Sequence, residues 1–244
     1  MANYLLIAGY SSIGQVAAKL LLDKGHKVMI TGKNIEKTKE IASDLGVGFK
    51  IVDAANFDNM DKILAEVKSE FGQIDGVANF AGSLLLKPAH LTSFEDYQGV
   101  INDNLTTSFA TVRACARYLT NGGSVVLISS AVAKIGMANH EAIAAAKASI
   151  VGLALSAAAS YAVNNIRFNV IAPGLIDTNL TKSITNNETS LKFSTSMHAL
   201  GRIGKSSDIA SGVVFFLLPE NDWITAQVLA IDGGLSSIRG KVKI

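Results

Sequence analysis

The chain of 244 residues carries 22 Lys and Arg against 20 Asp and Glu, a formal charge of +2, and is 49% hydrophobic with a mean hydropathy of +0.32. So even a balance supplies no broad field for nucleic acid or a membrane surface; the one basic cluster, Arg239, Lys241 and Lys243, reads as a solvated terminus. Cys115 alone has no disulfide partner and His26, His90, His140 and His198 are too scattered for a zinc site, so a reducing cytoplasm fits and no metal is expected.

Short apolar runs alternate with helix-period segments from the start. The patterns predict strand Tyr4–Ala8, helix Ile13–Lys24, strand Lys27–Thr31, and helix Asn34–Leu45 with Asn34 as its cap. Strand Phe49–Val52, helix Asp58–Phe71 and strand Gly76–Phe80 continue the order. A long helix Ser93–Leu119, strand Ser124–Ser129, a second long helix Ala138–Ala162 and strand Ile166–Ile171 follow, and helix Ser207–Leu217 and strand Gln227–Ile231 close it. This rhythm is that of a doubly wound α/β fold, a Rossmann-like parallel sheet of seven strands between helical layers, in one domain spanning residues 1–244. The polar segment Asp177–Lys205 fits no element and is expected to be a substrate lid at the sheet's carboxyl edge. Residues 1–9 lack a signal-peptide pattern, and the uncharged run Ala148–Ile166, rich in Ala and Ser, reads as a helix buried against protein; a soluble protein is expected.

The first strand runs into Gly9-Tyr10-Ser11-Ser12-Ile13-Gly14 and at once into a helix. Glycines there let the backbone turn tightly, and the free N–H groups of a helix start favour a pyrophosphate. Further along stand Asp53 after the third strand, Asn79-Phe80-Ala81-Gly82, Asn104, Ile128-Ser129-Ser130, Ala144-Ala145-Ala146-Lys147, Pro173-Gly174 through Thr178, and Ile231-Asp232-Gly233-Gly234.

Taken together and in this order, these motifs resemble the short-chain dehydrogenase/reductase family over nearly the whole chain. The resemblance implies an NAD(P)-dependent oxidoreductase. It implies that Gly9, Ser11, Ser12, Ile13 and Gly14 receive the pyrophosphate, that Asp53 contacts the adenine, and that Asn79, Ala81 and Gly82 flank the nucleotide. Asn104 would order a water, Ser130 would be the catalytic serine, Lys147 the catalytic lysine that also holds ribose, and Pro173, Gly174 and Thr178 the nicotinamide-side loop. Two long helices that pair across a two-fold axis in the family imply a homo-oligomer, dimer or tetramer.

Two departures stand out. Counted from Gly9, the loop is one residue short of the family's Gly-x-x-x-Gly-x-Gly and lacks the middle Gly. The family's catalytic Tyr belongs four residues before Lys147, where this chain has Ile143. Losing a positioned general acid typically removes about 10²- to 10⁴-fold of rate. His140 shares a helix face with Ile143 and Lys147, at about 0°, 300° and 340° on a wheel of 100° per residue. It also stands seven residues before the Lys, where the enoyl-acyl-carrier reductase branch has its Tyr. His140 is therefore a candidate proton donor, beside the Asn104 water; the competing reading is a histidine capping the helix start.

At the end of the second strand Gly32 stands where an Asp would favour NAD, and Lys33 follows, which favours NADP(H) over NAD(H). Two functions remain: an NADP-dependent reductase or alcohol dehydrogenase of a small carbonyl or acyl-type substrate, or a dinucleotide-binding module without turnover.

Overall fold

The computed structural model describes residues 1–238; the basic cluster at 239–243 lies outside them. Seven strands, β1 (Asn3–Ile7), β2 (Lys27–Gly32), β3 (Gly48–Ile51), β4 (Gly76–Asn79), β5 (Gly123–Ile128), β6 (Ile166–Pro173) and β7 (Val228–Ile231), form one sheet. Every pairing is parallel and the order is β3-β2-β1-β4-β5-β6-β7. The order reverses between β1 and β4, which opens a crevice at their carboxyl ends.

Period-two alternation sorts the strand side chains into two cores. Tyr4 and Leu6 of β1 join Val28 and Ile30 beneath α1 (Ser12–Asp23), α2 (Ile35–Leu45) and α9 (Ser206–Leu217). Leu5 and Ile7 point the other way, into a core shared with α3 (Phe57–Phe71), α5 (Thr107–Tyr118) and α6 (Glu141–Tyr161). A large aliphatic side chain buried this completely contributes about 1.5–3 kcal/mol. The stretch Glu141–Asn164 is long and apolar enough to cross a membrane, and its Ile150, Ala154, Ala157 and Ala158 pack into this second core.

Several boundaries differ from the sequence reading for local reasons. The first strand stops at Ile7 because Ala8 has φ 52°. The segment expected as one helix from Ser93 is α4 (Phe94–Ile101), a π-turn at Asn102–Thr106 in which the Thr107 N–H reaches back to Asn102 O, and α5. The helix expected from Ala138 starts at Glu141, because Asn139 has φ 65° and breaks the approach. Asn34 caps α2 as its sequence indicates, accepting from the Lys37 N–H at 2.9 Å. Residues 177–205, which the sequence pattern assigns to no element, carry a 3₁₀ turn at Asn179–Thr181 and two short helices, α7 (Lys182–Thr185) and α8 (Glu188–Met197).

Candidate active site

The chain leaves β1 through Ala8, whose carbonyl accepts from the Ser11 N–H at 3.0 Å, and Ser11 Oγ then caps α1 by accepting from the Gly14 N–H at 3.2 Å. The N–H groups of Ser12 and Ile13 thus head a helix with no intrahelical acceptor. Gly9 and Gly14 allow the close turn: a Cβ on Gly14 would stand 2.6 Å from Gly9 O, and one on Gly9 2.8 Å from Leu6 O. Counted from the positive-φ residue Ala8, the positions Ala8, Ser12 and Gly14 have the spacing of the family's three glycines. The shortfall read from Gly9 is therefore two replaced glycines rather than a missing residue.

At the rim, Lys33 pairs with Asp53 at 3.3 Å, and Lys37 on α2 stands 5.4 Å above the Tyr10 ring. Gly32 admits no side chain, since Thr38 Oγ1 and Tyr10 crowd its Cβ position, so no acidic residue fits there. Tyr10, Gly32, Lys33, Lys37 and Asp53 line a groove of about 470 Å³ along the crevice. Lys37 was not singled out from the sequence; its one signal is a position four residues after Lys33 in a helix's first turn.

Deeper in, Asn79 is 2% exposed and committed to structure. Its Nδ2 donates to Thr111 Oγ1 at 3.0 Å and its Oδ1 accepts from the Ala81 N–H at 2.8 Å, fixing the turn that carries Ala81 and Gly82. A Cβ on Gly82 would lie 2.8 Å from Asn104 Oδ1 and 3.4 Å from Lys147 Nζ, so the bare glycine lets both groups face one point. The π-turn presents Asn104, whose Nδ2 donates to Val100 O at 2.9 Å and to Ser83 Oγ at 3.3 Å. Its Oδ1 is buried with no hydrogen-bond partner and so faces the site as an acceptor. Lys147 Nζ donates to Ile128 O at 3.0 Å, and burial pulls its pKa from 10.5 down to about 8.

Ser130, in extended backbone with φ −162°, follows β5 and opens onto a second cavity of about 490 Å³, walled by Met137, Ile143, Leu175, Phe193 and Met197. Its Oγ accepts from the Val132 N–H at 3.4 Å. Ile143 is buried in an apolar cluster with Val100, Ala142 and Ala146. His140 reaches the same cavity from the N-cap position of α6, yet its ring does not cap; Nδ1 lies 2.7 Å from Ala138 O. The capping reading of His140 therefore does not hold.

Pro173 ends β6, and Gly174 must be glycine because a Cβ would stand 2.7 Å from His198 Nε2. Thr178 lies where the groove and the cavity meet, with its hydroxyl 3.2 Å from Thr181 Oγ1. His198 was missed by sequence reasoning, having no motif around it. Buried at 3% exposure, it holds Ser194 O with Nδ1 at 2.7 Å and accepts from the Leu175 N–H with Nε2 at 3.1 Å. That ring ties α8 to the loop after β6. Among the described residues no cluster of His, Cys, Asp and Glu is disposed to hold a metal.

The groove's chemistry fits a phosphorylated dinucleotide. A helix N-terminus suits a pyrophosphate, two lysines suit a ribose phosphate, and no carboxylate occupies the end of β2 to repel it. Residues 7–236 match the family model described as Enoyl-(Acyl carrier protein) reductase. A 3-oxoacyl-[acyl-carrier-protein] reductase FabG of Chlamydia muridarum is 35% identical, over 95% of this chain and 96% of its own. Carbonyl reductase family member 4 of Xenopus laevis is 32% identical over 94% and 96%. Among solved structures, a short-chain type dehydrogenase/reductase from Mycobacterium ulcerans superposes with TM-score 0.91 at 28% identity, covering 98% of this chain and 91% of its own. ElxO with NADP bound does so with TM-score 0.91 at 29% identity, covering 97% and 99%.

Proposed function

Since the chain belongs to the short-chain dehydrogenase/reductase family, we propose that it is an NADP(H)-dependent oxidoreductase acting between a small carbonyl and its alcohol, on a substrate with an apolar or acyl-type portion. The observation that carries this reading is the meeting of a cationic dinucleotide groove with an apolar cavity at Lys147, with Ser130 on the cavity wall. That relatives are named reductases, and that ElxO is described with NADP bound, supports turnover over a silent binding module.

When bound, the nicotinamide supplies or accepts the hydride. Gly9, Ser11, Ser12, Ile13 and Gly14 cradle the pyrophosphate, and Lys33 with Lys37 receives the 2′-phosphate. Asp53 borders the adenine, and the turn held by Asn79 brings Ala81 and Gly82 against the nucleotide. Lys147 donates to the nicotinamide ribose, while Pro173, Gly174 and Thr178 border the nicotinamide. The Ser130 hydroxyl donates to the carbonyl oxygen, and Asn104 Oδ1 anchors a water that links Lys147 to solvent. His140, at the cavity's edge, and this water are the two proton sources that the sequence suggests.

Residues 1–244 act as one NAD(P)-binding domain in which 177–205 is the substrate lid: Phe193, Ser194 and Met197 of α8 border the cavity. The protein works in the cytoplasm as a homo-oligomer, dimer or tetramer. Phe109 on α5 is 47% exposed and Leu155 on α6 is 46% exposed, so each of these helices carries an exposed apolar side chain that two-fold pairing would cover. The test is consumption of NADPH with ethyl acetoacetate and a panel of aldehydes and ketones. Consumption above the substrate-free rate, faster than with NADH, is the expected result. Tight NADPH binding without consumption across the panel would return the silent-module reading.

A further inference from the structure

The groove and the apolar cavity have five lining residues in common, Ile13, Ile128, Lys147, Thr178 and Leu180. A hydride donor held in one would meet a carbonyl held in the other at this junction. Of the five, Lys147 alone is ionisable. Ile143 offers no proton and is packed into the Val100, Ala142 and Ala146 cluster. His198 has both ring nitrogens engaged, at 2.7 and 3.1 Å, and His140 lines the cavity without touching the groove. Lys147 Nζ commits one of its three N–H bonds to Ile128 O at 3.0 Å, which leaves two for the junction. Asn104 Oδ1, buried and unpartnered, faces the same point beside Gly82 as that nitrogen.

We propose that Lys147 is itself the general acid of the reduction, doing in this chain what the missing tyrosine does in the family. This rests on the oxidoreductase reading above. As the carbonyl carbon gains hydride, the C=O π pair moves onto oxygen, and oxygen takes a proton from the Lys147 ammonium. The electrons of that N–H bond remain on nitrogen as a lone pair. The neutral amine recovers its proton from solvent through the water held by Asn104. Burial brings the ammonium to about 8, near the pH at which a general acid is most effective. An ordinary surface lysine, near 10.4, is far weaker.

The test joins two readouts on the full chain. Nitrogen-15 lysine NMR follows Lys147 Nζ through pH in the free protein and with NADP⁺, with Lys147→Arg identifying the resonance. The pH profile of kcat for ethyl acetoacetate reduction is measured alongside, with NADPH binding by fluorescence for every variant. Expected are a Lys147 titration near 8 and a kcat that falls with the same midpoint as pH rises. Lys147→Arg, which stays charged, binds NADPH within tenfold of wild type and loses at least 100-fold in kcat. Ile143→Tyr shifts the limb. The proposal is overturned by a Lys147 titration above 10, by a limb that survives in Lys147→Arg, or by a limb lost in His140→Gln while Lys147 is intact. It is also overturned if wild type binds NADPH without reducing the probe and Ile143→Tyr reduces it. Absence of NADPH binding in wild type would instead overturn the oxidoreductase reading itself.

Discussion

Ser129 Oγ donates to the backbone carbonyl of Lys147 at 2.7 Å, tying the carboxyl end of β5 to α6, while Lys147 Nζ reaches back to Ile128 O at 3.0 Å. The two bonds fix the lysine against the end of the strand that leads into Ser130. Ser129→Ala removes a buried donor and leaves the Lys147 carbonyl with one partner fewer. Urea unfolding should show a loss of about 1–2 kcal/mol. An unchanged midpoint would mean that the bond holds nothing in place.

Ala8 holds a left-handed conformation, φ 52°, that costs a residue bearing a Cβ about 1–2 kcal/mol. Ala8→Gly relieves that strain at the position where the family pattern has its first glycine. A rise in melting temperature and no weakening of NADPH binding are expected; a fall in stability would contradict the left-handed turn.

Burial of the Lys147 ammonium carries a sign for stability. Its folded pKa, about 8, lies below the unfolded value of 10.5, so between these values the unfolded chain binds more protons. The penalty is therefore present in full below pH 8 and is relieved as pH rises from 8 towards 10.5. For a shift of this size the relief is about 3 kcal/mol. Denaturant unfolding at several pH values, with Lys147→Met as the comparison, should show this rise in wild type and its absence in the variant.

The rim lysines differ in what they have to spare. Lys33 is already paired with Asp53 at 3.3 Å, whereas Lys37 faces the aromatic ring of Tyr10. Each alanine variant should weaken NADPH binding by roughly three- to tenfold, about 1 kcal/mol, with Lys37→Ala the larger and NADH binding little changed. Equal losses for both nucleotides would remove the 2′-phosphate role.

His198 is the latch between α8 and the loop at Leu175. His198→Ala leaves the Leu175 N–H and the Ser194 carbonyl without these partners and should speed proteolytic cleavage within residues 177–205, with cleavage elsewhere unchanged. Uniform acceleration along the chain would point to global destabilisation instead.

Much of this was legible in the sequence, because its physics is local. The unbroken apolar run from Tyr4 to Ile7 marks a buried strand, and Asn34 announces its helix by its capping chemistry. Ser130, after a strand, and Lys147, on the next helix, border one cavity, and Asn104, which only the family resemblance singled out, lies beside Lys147 at Gly82. What escaped depends on backbone geometry or distant partners. The π-turn at Asn102–Thr106 has no Gly or Pro to mark it, and Gly9 drew the count of the loop away from Ala8, whose φ is invisible in the sequence. His198 acquires its role from Leu175, 23 residues away along the chain.

The most direct test of the central claim is a fluorescence titration of the purified protein with NADPH and, separately, NADH. The groove, with its helix N-terminus, its two lysines and no carboxylate at Gly32, predicts saturable NADPH binding with NADH at least tenfold weaker, a gap of about 1.4 kcal/mol. Binding of neither nucleotide below millimolar concentration would contradict the assignment of the groove and the oxidoreductase reading with it.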